Sequence, residues 1–75
     1  MAHVNPADAI LRGAAEDRYV VFPCDAAEAV RWGHVLRDLV DAGSVRRQPW
    51  STPTLWEELL TGGGANRAIG IAPTR

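Results

Sequence analysis

The side chains in this chain that invite a chemical reading are one cysteine, two histidines and nine acids. Cys24 lies just before a predicted long helix, where the positive helix end and unpaired backbone amides favour a thiolate. A cysteine–histidine–aspartate relay needs an imidazole within hydrogen-bond reach of the sulfur. His34 falls on the predicted solvent side of that helix, on the order of 15 Å along its axis from Cys24. His3 could approach only through a tertiary contact. Cys24 therefore reads as a small apolar residue under a strand end. Cys24, His3 and His34 also contain no pair at the two-to-four spacing of structural zinc sites. Glu57 and Glu58 are neighbours on a predicted helix and point about 100° apart, a poor arrangement for two carboxylates sharing a proton or flanking one bond. The glycine run within Thr61 to Asn66 closes a helix, whereas a phosphate cradle opens one, so it reads as a flexible turn. The expectation is a chain that is not an enzyme, with no catalytic residues, no cofactor and no metal.

The side chains suited to binding are more concentrated. Arg46 and Arg47 stand beside Pro49 and Trp50, where guanidinium groups and an indole can meet carboxylates, phosphates or rings. Arg31, His34 and Arg37 share the polar side of the long helix. These six residues, Arg31, His34, Arg37, Arg46, Arg47 and Trp50, are the expected partner-binding set. Charge is unevenly spread: residues 1–45 carry seven acids and four arginines, net −3, and residues 46–75 carry two acids and four arginines, net +2.

These residues must be positioned by a small number of elements. Asn5 and Pro6 predict a helix start, with Ala7, Ile10, Leu11, Ala14 and Ala15 as its apolar stripe and an end near Glu16 or Asp17. Tyr19 to Phe22 is a continuous apolar run stopped by Pro23, which predicts a strand that is central or covered on both faces. Asp25 and Glu28 form a capping-box pattern that opens the long helix. Its wheel puts Ala29, Trp32, Val35, Leu36, Leu39 and Val40 on one side and Arg31, His34, Arg37, Asp38 and Asp41 on the other, until Gly43. A short strand is expected over Ser44 to Gln48, with Val45 as its apolar anchor. A third helix is expected over 54–60, and a last strand over Arg67 to Ile71. The order α-β-α-β-α-β predicts one compact α+β domain over residues 1–75, with three helices in a layer against a two- or three-stranded sheet.

Composition bounds the function. With nine acids, eight bases and a pI near 6.0, the chain is not a polycation that binds nucleic acid by charge alone. It has no apolar run near the ~20 residues of a membrane span. A single cysteine and no recognisable export signal predict a cytoplasmic, reducing compartment and exclude an internal disulfide.

The stretch from Val35 through Leu36, Arg37, Asp38, Leu39, Val40, Asp41, Ala42, Gly43, Ser44 and Val45 to Arg46 and Arg47 resembles the end of the recognition helix and the first wing strand of winged-helix DNA-binding domains. That resemblance implies a transcriptional regulator in which Arg31, His34 and Arg37 face the major groove and Arg46 and Arg47 contact phosphates. The residue chemistry by itself favours another expectation. It describes a small cytoplasmic protein that binds a larger protein or nucleoprotein complex and modulates or inhibits it; small size and the lack of catalytic groups, rather than any motif, liken it to compact accessory proteins from phages and mobile elements. A second copy of the chain is left open as a further partner.

Overall fold

The computed structural model describes residues 5–48, 59–61 and 63–74. They form helix α1 (Pro6–Glu16), strand β1 (Tyr19–Val21), helix α2 (Ala26–Asp41), strand β2 (Val45–Arg47) and strand β3 (Ala68–Pro73). The fold is a small α+β arrangement of two helices and a three-stranded antiparallel sheet in the order β1-β3-β2. This corrects the three-helix expectation. The segment predicted as a third helix over 54–60 lies outside the described residues except for Leu59 and Leu60. Among the described residues the helical elements are α1 and α2.

Local signals set most element ends. Asn5 Oδ1 accepts from the Ala7 amide at 2.9 Å, and Pro6 takes the first helical position. Asp25 Oδ1 accepts from the Glu28 amide at 3.0 Å and starts α2. At the other end of α2, Gly43 has φ 78°. The Ser44 amide bonds Leu39 O at 2.9 Å and the Gly43 amide bonds Val40 O at 3.0 Å, the paired contacts of a Schellman exit. Helix α1 leaves in a related way without glycine: Arg18 adopts φ 65° and its amide reaches back to Gly13 O at 2.8 Å.

The sheet buries one face under both helices. Val20, Ile69, Ile71 and Val45 meet Ile10, Ala14, Ala29, Trp32 and Leu36 in one apolar cluster. Phe22 sets its ring edge against Trp32, with centroids 6.0 Å apart. The apolar line of α1 is rotated from the expected one: Pro6, Ile10, Gly13 and Ala14 are buried, while Leu11 and Ala15 are exposed. The cause is Gly13, where an added Cβ would lie 2.5 Å from Tyr19 O, so α1 and β1 approach through bare backbone.

Strand β1 is an edge, not the centre. Its burial alternates, with Val20 inside and Tyr19 and Val21 outside, whereas the central strand stays buried at the outward positions Gly70 and Ala72 as well. The central position belongs to β3, which runs to Pro73, two residues beyond its expected end. Pro73 is tolerated because Gly70 and Ala72 direct their backbone groups to β2, whereas those of Ile71 and Pro73 face β1, and β1 has ended before Pro73.

Leu59 closes the core. It is fully buried, and an added Cβ on Gly33 would stand 2.6 Å from its carbonyl oxygen. On its other side a Cβ on Gly64 would meet Leu59 Cδ2 at 2.5 Å and Phe22 Cδ2 at 3.1 Å. Gly64 thus sits in a docked turn rather than the expected flexible one, small so that Leu59 and Phe22 can close over it.

Candidate interaction surface

Helix α2 is amphipathic enough to serve two purposes. Ala29, Trp32, Gly33 and Leu36 are buried, with Val35, Leu39 and Val40 packed at the margin of the core. Arg31, His34 and Arg37 are exposed and follow one another at intervals of three. At 1.5 Å per residue, this row spans about 9 Å along the helix. Glu28 precedes it, and Asp38 and Asp41 follow, all exposed.

Two arginines in the row have carboxylates beside them. Arg31 Nη1 lies 3.5 Å from Glu28 Oε1, and Arg37 Nε lies 3.9 Å from Asp41 Oδ2. The four side chains are between 49% and 69% exposed, so water screens both pairs and each is worth roughly 0–1 kcal/mol. Their i,i+3 and i,i+4 spacings are visible in the sequence and could have identified both pairs. They hold the guanidinium groups loosely and leave them able to change partner.

The other expected site residues do not join this row. Arg46 is exposed and pairs with Ala72 in register, which puts it on the sheet face turned away from the helices. Its neighbour Arg47 has the opposite parity, pairs with Ile71 and is half-buried on the helix side. The two consecutive arginines are therefore split between opposite faces by the strand's own alternation. Trp50 lies outside the described residues. On the outward sheet face the register sets Tyr19 and Val21 beside Gly70 and Ala68, and Tyr19 and Val21 are 45% and 52% exposed. Sequence reasoning assigned them to a buried strand because a continuous apolar run does not reveal how many faces are covered.

Cys24 is also placed differently from expectation. It is exposed, and its Sγ donates to Asn66 Oδ1 at 3.6 Å. The strand end that was to cover it is instead engaged on the backbone side, where Pro23 O accepts from the Asn66 amide at 3.0 Å. His3, Glu57 and Glu58 lie outside the described residues. Among those described, no three of the histidines, cysteine and acids gather as a metal site, and no helix is long and apolar enough to cross a membrane.

Comparison with protein-family models, with curated proteins and with solved structures returns no match.

Proposed function

We propose that this chain is a non-catalytic cytoplasmic binding protein that attaches to a larger protein or nucleoprotein assembly and modulates or inhibits it. The observation that carries the reading is the exposed row of Arg31, His34 and Arg37 on a helix whose opposite side is committed to the core. Arginine on a rigid, well-anchored element loses little freedom on binding and gives directional contacts to carboxylates. The loose pairs with Glu28 and Asp41 can be exchanged for partner contacts at small cost. The test is affinity capture with the intact chain, comparing wild type with Arg31→Ala/His34→Ala/Arg37→Ala and with Arg46→Ala. Loss of the captured partner in the triple variant alone supports the α2 row. Loss in Arg46→Ala alone moves the surface to the outward sheet face, and retention in both removes the proposal.

A second reading, a winged-helix-like DNA-binding regulator, is favoured by one observation. After the Gly43 exit, β2 carries Arg46 and Arg47 and pairs antiparallel with β3, the placement that a wing requires. Against it, a single helix occupies the space between β1 and β2, where a helix-turn-helix needs two. Gel retardation with mixed-sequence duplex DNA separates the readings. Salt-steep retardation supports the regulator, and no shift at about 50 mM salt removes it.

A further inference from the structure

We infer that the α2 row docks onto a protein surface of mixed charge, with carboxylates set against Arg31 and Arg37 and a cation set against Asp38 and Asp41. This rests on the binding role proposed above and specifies its partner. The exposed side of α2 reads acid, cations, acids: Glu28, then Arg31 and Arg37 around His34, then Asp38 and Asp41. With His34 neutral, two arginines against three acids leave this side at −1.

That pattern discriminates among partner classes. A uniform polyanion such as duplex DNA presents closely spaced phosphates along the whole contact, so it must meet Glu28, Asp38 and Asp41 together with the arginines. The acids then cancel the attraction. A second copy fares no better when the two rows are laid in register about His34. Packed antiparallel about His34, Arg31 of one copy faces Arg37 of the other, and Glu28 falls beside Asp41; packed parallel, every charge faces itself. A protein surface can alternate sign over the same length. It can supply carboxylates at the centre and a lysine or arginine at the end, which satisfies the cations and the acids of α2 at once. The present partners of Arg31 and Arg37, at 3.5 and 3.9 Å and well exposed, are easily displaced by such carboxylates.

The test uses two defined probes at low salt with amide chemical-shift mapping on the intact chain. One is an alanine-based helical peptide with the charges of α2 inverted: glutamate in place of Arg31 and Arg37, lysine in place of Glu28, Asp38 and Asp41. The other is a short mixed-sequence DNA duplex. The peptide is expected to shift amides within residues 26–42 and to bind more tightly than the duplex. Arg31→Ala/Arg37→Ala and Asp38→Asn/Asp41→Asn should each weaken the peptide about two- to thirtyfold, the range for losing two exposed pairs. Neutralising the aspartates should strengthen the duplex. The inference is overturned if the aspartate variant leaves the peptide unchanged or binds it more tightly, if the duplex binds better than the peptide, or if no shift falls on α2. Affinity capture separates this failure from that of the binding role. A captured partner lost in the arginine variant but kept in the aspartate variant preserves the role and removes the mixed-charge partner; a partner kept in both variants removes both.

Discussion

The two long sides of α2 are built to opposite tolerances. On the inner line at Gly33, the backbone of Leu59 comes so close that a methyl group would sit 2.6 Å from its carbonyl oxygen. On the outer line at Arg31 and Arg37, the nearest charged atoms are 3.5 and 3.9 Å away in open water. One side admits no added atom, and the other admits almost any polar replacement. The inner side holds fixed backbone geometry that serves the fold, and the outer side holds exchangeable charges that the proposed partner would meet.

Substitutions at the inner line of α2 should have the largest effects. Leu59→Ala removes a fully buried side chain from the point where Gly33, Gly64 and Phe22 converge. It should cost about 2–5 kcal/mol, measured by urea denaturation. Gly33→Ala is the more informative change because two principles predict opposite signs. Helix propensity alone favours alanine by about 1 kcal/mol. The clash is with the carbonyl oxygen and carbon of Leu59, which cannot rotate aside, so the variant should instead be less stable by about 1–3 kcal/mol. A gain in stability would show that Leu59 does not sit against α2 as described.

The helix exits sharpen the contrast with smaller effects. Gly43→Ala forces a side chain into the left-handed region at φ 78° and should cost about 1 kcal/mol, although nothing lies within 4 Å of the new atom. Arg18 already accepts that strain at φ 65°. Arg18→Gly should therefore stabilise the domain by about 0.5–1 kcal/mol, a rise of a few degrees in thermal midpoint for a domain of this size.

Much of this architecture is legible in the residues. Asn5–Pro6 and Asp25 announce both helix starts, Gly43 announces an exit, and the polar and apolar sides of α2 fall where its wheel puts them. Those features are local, set within one or two turns of chain. What is illegible depends on contacts between distant segments. Gly13 and Gly33 look like weak points of two helices, yet each is where another backbone passes against the helix. Tyr19 to Phe22 looks central because it is apolar throughout, but Ile69 and Ile71 compete for the centre and β3 takes it. The candidate site divides in the same way. Arg31, His34 and Arg37 are brought together by helical spacing, whereas Arg46 and Arg47, adjacent in sequence, are separated by strand alternation.

The smallest expected change in stability belongs to the outer line, and it should accompany the largest change in binding. Arg31→Ala/His34→Ala/Arg37→Ala removes only exposed side chains and two loosely held pairs. Each surface change should stay within about 0.5 kcal/mol. The most direct measurement is a paired one on this triple variant: thermal unfolding and affinity capture from the same preparation. The account predicts a thermal midpoint within a few degrees of wild type and loss of the captured partner. A partner retained in full, or one lost only together with a collapse in the thermal midpoint, would contradict the assignment of the outer line to binding and the inner line to folding.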